Sequence, residues 1–330
     1  MNLSRIHTNT GRLFILSQII PQSKDSVNLR DYSSKDKAWD KHKAKADQIS
    51  KLYKKYSDNP RDDKRALKIK ECAGWLSFAR NTDGALTLIQ AHFCHSRACS
   101  VCQWRRSIIL KAKFYANIPE IIAAHPTARF IFLTLTVKNV PLSELRATLQ
   151  KMSKAFNAMT RKVFFKQDVL GYVRNVEVTR NHDTNEAHPH FHILLAVKSS
   201  YYSTGHYYSL TRWRKEWQEV LGVDYLPQGD IQNVRTEKDK QQIVKEMLKY
   251  PLKESDIPTD SKWYIEYCEQ VHRLRFISTG GILKDVVKDV PDNTSDEEMI
   301  HVNESAAQGE QIDILEFSWN RPKKKYQRTK

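Results

Sequence analysis

The stretch HPHFHILLAV (188–197) sets His188, His190 and His192 at alternate positions and then continues as an apolar run. Alternate side chains of a strand share a face, so the three imidazoles are expected to project together. Pro189, Phe191, Ile193 and Leu195 then face a core on the other side. GYVRNVEVTR (171–180) alternates in the same way, with Asn175, Glu177 and Thr179 on one face and Val176 and Val178 on the other. The turn-like NHDTNEA joins the two strands into a hairpin, which brings Glu177 beside the histidines. Two neutral imidazoles and a carboxylate suit Mn²⁺ or Mg²⁺ acting as a Lewis acid with open positions. Asp230, at the head of a further strand (GDIQNVRT, 229–236), is an alternative third ligand.

A second cluster suits a different metal. CHSRACSVC (94–102) is C-x4-C-x2-C, and Cys72 lies upstream of it. Four thiolates from Cys72, Cys94, Cys99 and Cys102 make a closed tetrahedral zinc site of the structural kind. His92 and His95 are alternative fourth ligands. Arg97, Arg105 and Arg106 would favour the thiolate forms and also suit DNA phosphate. Cys268 stands apart and reads as a small buried or half-buried thiol. An odd cysteine count without a secretion signal points to a reducing compartment and no disulfide framework.

The elements that must hold these groups follow from periodicity. FIFLTLTV (130–137) is a strand, and Leu145, Leu149, Met152, Phe156 and Met159 recur at helical spacing. Residues 107–127 and 210–221 read as helices, and EKDKQQIVKEMLKY (237–250) as a helix stopped by Pro251. Residues 35–70 are dense in Lys and Arg and are expected to form a solvated helical arm. Beyond Leu283 the chain turns acidic and then ends in RPKKKYQRTK, a portion expected to be loosely ordered. The domain plan is therefore a basic arm (1–70), a Cys-rich segment and helix (71–127), a catalytic domain (128–282) and a linker with a basic tail (283–330).

The formal net charge of +16 over 330 residues fits a polyanionic partner. The 40% hydrophobic content excludes a disordered chain, and the longest apolar run is far too short to cross a bilayer. No membrane partner is expected.

HPHFH with its apolar run resembles the histidine–hydrophobe–histidine motif of the HUH endonucleases, closest to plasmid rolling-circle replication initiators. FLTLTVKN (132–139) resembles that family's first motif, and EMLKYPLKESD (246–256) resembles its third, which carries the nucleophilic tyrosine. CHSRACSVCQWRR resembles a Cys-rich motif found ahead of the first. The resemblance covers about residues 72–256. It implies that His190 and His192 bind the metal, with His188 a neighbour. It implies that Tyr250 attacks DNA and that Glu246 activates water to end the reaction. Lys249 and Lys253 beside them are candidates to add positive charge near the phosphate, the alternative being ordinary solvated lysines. Tyr264 and Tyr267 in YIEY lie three apart and outside the matched motif, so a single catalytic tyrosine is expected.

The fold expected is α+β: a central antiparallel sheet of HUH (ferredoxin-like, RRM-like) type with helices on one face and the site on the other, plus an N-terminal zinc-binding, helix-rich region. The function implied is a cytoplasmic nickase and strand transferase acting on a plasmid double-strand origin, single-stranded at the nick. Host helicase and polymerase would be its partners. A transposase or mobilisation relaxase keeps the same chemistry, and the lack of a GxxxxGK[ST] helicase signature favours the initiator. A zinc-bearing origin-binding protein that does not cut is the alternative of another class.

Overall fold

The computed structural model describes residues 27–56, 59–203, 205–235, 262–287, 295–300 and 310–329. A single turn, α1 (Leu29–Tyr32), leads into α2 (Lys37–Tyr56) and α3 (Pro60–Glu71). Pro60 opens α3, and the Asn59 side chain accepts the Arg61 amide at 2.9 Å. The Lys-rich region is not a free arm. Trp39, Ala46, Ile49, Tyr53, Ala66 and Ile69 are buried in the main core, with the charges on the outer faces. Even Lys43 is interior, donating to the Lys70 carbonyl at 2.6 Å. Charge density hid the apolar stripe beneath it.

A short hairpin, β1 (Trp75–Asn81) and β2 (Leu86–Ala91), precedes the long helix α4 (Ser100–Ala124). Next come β3 (Arg129–Thr136), α5 (Leu145–Met159) and α6 (Val163–Asp168). Then follow β4 (Val169–Arg180), β5 (Ala187–Val197) and α7 (Leu210–Leu221). Ser209 caps α7, and Gly222, at φ 61°, ends it in the left-handed region. The chain continues with β6 (Gly229–Val234), α8 (Trp263–Gln270), β7 (Ile277–Gly281), α9 (Asp296–Ile300), β8 (Gln311–Asn320) and β9 (Lys325–Arg328).

Two antiparallel sheets result, making the molecule α+β. The larger has the order β6-β3-β5-β4-β7, the smaller β2-β1-β8-β9. From β3 to β6 the chain runs β-α-β-β-α-β, with β3 and β5 side by side at the centre. One face of the larger sheet presents Ile131, Leu133, Leu135, Phe191, Ile193 and Leu195 to α5 and α7. Phe191 there meets Phe156 at 6.2 Å and Trp217 at 5.9 Å between ring centroids. The other face is bare of helix only in part. Phe132, Val173, Leu194 and Ala196 form a second core with Phe114 of α4. Helices on a single face was therefore too simple: the run ILLAV is apolar at successive positions because both sides of that half-strand are buried.

The C-terminal tail differs more. QIDILEFSWN alternates, and Leu315, Phe317 and Trp319 point inward as β8 pairs with β1. The basic residues around Lys323 form the turn into β9, not a loose end. Burying Leu315 and Phe317 contributes about 1.5–3 kcal/mol each, ample to order a short hairpin against an existing strand.

Candidate active site and metal cluster

Strand register gathers the histidine row. Across β4 and β5, Asn175 pairs with His192, Glu177 with His190, and Thr179 with His188. Across β3 and β5, Thr134 faces His192 and Thr136 faces His190. The rings follow one another along the strand, 4.4 Å from His188 to His190 and 6.1 Å from His190 to His192. Phe132 stacks on His192 at 5.5 Å, nearly parallel, and closes one end of the row.

His192 is fixed at both nitrogens. Its Nε2 lies 2.6 Å from Glu177 Oε2, and its Nδ1 lies 3.2 Å from Thr134 Oγ1. His190 Nε2 meets Thr179 Oγ1 at 3.0 Å. The Glu177 side chain is only 4% exposed and that of His192 12%, so this carboxylate–imidazole contact is shielded from water. Burial lowers the His188 imidazole, against a backbone hydrogen bond to Val137 that raises it, and so favours its neutral form.

The donor chemistry fits a hard-to-borderline divalent cation, with His192 and Glu177 already in contact. The three groups are less tightly gathered than a finished coordination sphere. Among the described residues, His190, His192 and Glu177 do not bring their ligand atoms within 4.8 Å of one another, and His190 is turned to Thr179. Asp230 lies on the same face, opposite Thr134 on the edge strand β6. Its carboxylate is exposed and accepts from Gln232 at 2.7 Å, with β3 between it and His192. Glu177 is the better placed third group. Thr179 was already placed on this face by alternation, whereas Thr134 joins it only through the β3–β5 register.

The cysteine cluster is fully assembled. Ligand atoms of Cys72, Cys94, Cys99 and Cys102 lie within 4.8 Å of one another. The Cys72–Cys102 and Cys94–Cys102 sulfur separations are 3.5 and 3.6 Å. A zinc tetrahedron with Zn–S of about 2.3 Å has edges of roughly 3.8 Å, so the sulfurs already approximate its corners. They come from three junctions: Cys72 at the end of α3, Cys94 after β2, Cys99 and Cys102 at the start of α4. Burial resists ionisation of Cys99, but hydrogen bonds from Cys102, Cys72 and Cys94 outweigh it and hold that thiol well below its usual range. The same neighbours push Cys102 up. His92 and His95 are not part of the cluster; both face Asp296, His95 at 2.7 Å.

Two of the three arginines beside the cysteines are turned into the interior. Arg105 is buried, donates to the Met299 carbonyl at 2.8 Å, and lies over Trp39 and Trp104. Arg106 is buried too, donating to the His95 carbonyl at 2.8 Å. Arg97 donates to the Leu274 carbonyl and lies over Phe276. Their expected DNA role is corrected for Arg105 and Arg106: helical spacing turned both inward, where each donates to a backbone carbonyl. Tyr250, Glu246, Lys249 and Lys253 lie outside the described residues. Tyr264 and Tyr267 are buried in α8, with the Tyr264 hydroxyl donating to the Ala98 carbonyl at 2.9 Å, a poor position for a nucleophile.

Residues 85–327 match the replication protein family. The chain belongs to that family. A "Protein rep" of Streptococcus pneumoniae is 32% identical over 314 residues, covering 92% of this chain and 96% of that protein. A "Protein rep" of Lactiplantibacillus plantarum is 35% identical over 279 residues, covering 80% and 88%. Another, from Bacillus amyloliquefaciens, is 34% identical over 286 residues, covering 78% and 83%. No solved structure matches. The resemblance to plasmid replication initiators read from the histidine strand is borne out for this replication protein. No described helix of it is long and apolar enough to cross a membrane.

Proposed function

We propose that this replication protein starts rolling-circle replication by nicking one strand of a plasmid origin with Tyr250. The contact of His192 with Glu177, beside His190 on a rigid strand pair, carries the reading. The order β6-β3-β5-β4 supports an HUH-type, ferredoxin-like sheet. His190, His192 and Glu177 would hold Mn²⁺ or Mg²⁺, which when bound polarises the scissile phosphate. Tyr250 attacks the phosphorus; a tyrosyl O–P bond forms, the P–O3′ bond breaks, and the 3′ oxygen takes a proton to become a primer hydroxyl. Glu246 then serves as the base for water that releases the 5′ phosphate at termination. Lys249 and Lys253 add positive charge near the phosphate. Zinc on the four cysteines would be structural, tying α3, β2 and α4 together.

Purified protein incubated with single-stranded origin DNA and Mn²⁺ tests this. Wild type should yield a free 3′-OH and a covalent adduct. Tyr250→Phe should bind but form no adduct, and Glu246→Ala should form the adduct but hydrolyse it poorly. Normal nicking by Tyr250→Phe would move the nucleophile elsewhere. Binding of origin DNA by wild type with no cutting would favour the non-catalytic origin-binding reading.

A further inference from the structure

After β5 the chain makes a loop rich in tyrosine, YYSTGHYY (201–208). Two of its rings are sunk and two are not. Tyr201 is 1% exposed; its hydroxyl accepts from Trp213 Nε1 and donates to the Tyr208 carbonyl, both at 3.1 Å. Tyr208 is buried and stacks on Phe164 at 4.6 Å. His206 ties the loop to the interior carboxylate of Asp168 at 3.0 Å. On this base Tyr202 and Tyr207 stand 41% and 48% exposed, two of the exposed large hydrophobic side chains of the described residues. Their centroids are 6.4 Å apart with the planes 30° from parallel, and both rings lean on Tyr201.

The surroundings are basic. The Tyr202 hydroxyl donates to Asn233 Oδ1 at 2.8 Å, on the edge strand β6. Burial raises the Tyr202 phenol, and the charges of Arg235 and Arg129 act on it in the opposite direction. Both arginines are exposed. Register fixes the side of the sheet: Asn233 pairs with Ile131, the neighbour of Phe132, which stacks on His192. Ile131 and Arg129 therefore point away from the histidine face. Arg129 pairs with Val197, five residues beyond His192 on β5. Arg129 thus lies about 17 Å along the strand from His192, and Asn233, which holds Tyr202 and sits level with Leu195, about 10 Å along it on the β6 edge.

A flat pair of exposed rings with guanidiniums beside them is the arrangement that takes unpaired bases: the rings stack on bases, and the cations meet the backbone. We propose that Tyr202 and Tyr207, with Arg129 and Arg235, form a second binding surface for single-stranded DNA, separate from the histidine site and on the opposite face of the sheet. A strand leaving the nicking face round the β6 edge would reach it. Binding there does not require Tyr250 or a metal.

The test is the affinity for an oligothymidylate of about 20 nucleotides, by fluorescence anisotropy on the full chain. Tyr202→Ala with Tyr207→Ala should bind tenfold or more weakly, while Tyr202→Phe with Tyr207→Phe binds as wild type because the rings remain. Arg129→Gln with Arg235→Gln should lower the salt slope of binding by about 0.7 for each phosphate that is no longer neutralised. A 5-iodouracil probe on wild type should cross-link at Tyr202 or Tyr207. Unchanged affinity in the alanine pair, or cross-links confined elsewhere, would overturn the proposal. An equal loss for a duplex of the same length would also overturn it, since stacking needs unpaired bases. A short origin oligonucleotide spanning only the nick should be cut by the alanine pair at the wild-type rate. If wild type nicks and the alanine pair keeps full affinity, the second surface fails and the nicking reading stands. If wild type never nicks yet the alanine pair loses affinity, the reverse holds.

Discussion

At the residue scale, His192 is held from two sides. Thr134 at 3.2 Å on Nδ1 and Glu177 at 2.6 Å on Nε2 set its ring plane. Partners of this kind typically change metal affinity 10–100-fold when removed. Thr134→Val should therefore weaken Mn²⁺ binding by about tenfold or more in a calorimetric titration, and Thr134→Ser should restore it. Equal affinity in the valine variant would show that the hydroxyl does not orient the ring. His188→Ala should cost less nicking activity than His190→Ala or His192→Ala; an equal loss would make His188 part of the centre. The shared face of the histidines and Glu177 was legible because alternation is geometric. Thr134 was not, because its role comes from strand pairing between segments some 58 residues apart.

At the element scale, the cysteine cluster joins three junctions: the end of α3, the end of β2 and the start of α4. Removing zinc with a strong chelator should loosen the starts of α4 and β1 and lower the melting temperature by roughly 10 °C. A stability loss of a few kcal/mol gives a shift of about that size in a domain of roughly 150–250 residues. Metal analysis should find one zinc per chain, lost in Cys99→Ser; full retention there would contradict a four-thiolate site. Strands β3 to β6 and helices α5 and α7 followed from periodicity, whereas the helix expected over 107–127 spans Ser100–Ala124 and α6 was not read as a separate helix. The β1–β2 hairpin is hidden in the sequence because the cysteine spacing dominates residues 72–106. The inward turn of Arg105 and Arg106 depends on the distant carbonyls of Met299 and His95, which no local pattern reports.

At the scale of the whole molecule, the chain closes on itself. β8 lies against β1, Arg80 forks onto Asp313 at 2.9 and 2.6 Å, and the Trp319 indole donates to Asp47 at 2.7 Å. The tail thus completes the sheet that carries the zinc-type cluster, and the Lys-rich helices pack beneath it. Charge patterning made the C-terminal tail look loose because the pairing that orders it spans more than 230 residues. A chain ending at residue 310 should expose β1 as an open edge and aggregate or melt well below the full chain. An unchanged melting temperature would contradict the role given to β8 and β9. With the Lys-rich helices and the β8–β9 hairpin packed in and one sheet face carrying the histidine row, the central claim concerns the chemistry at that face. Its most direct test is mass spectrometry of the peptide covalently joined to single-stranded origin DNA after reaction with Mn²⁺. The account predicts a 5′-phosphotyrosyl link at Tyr250; a link at any other residue, or no covalent peptide from DNA that has been cut, would contradict it.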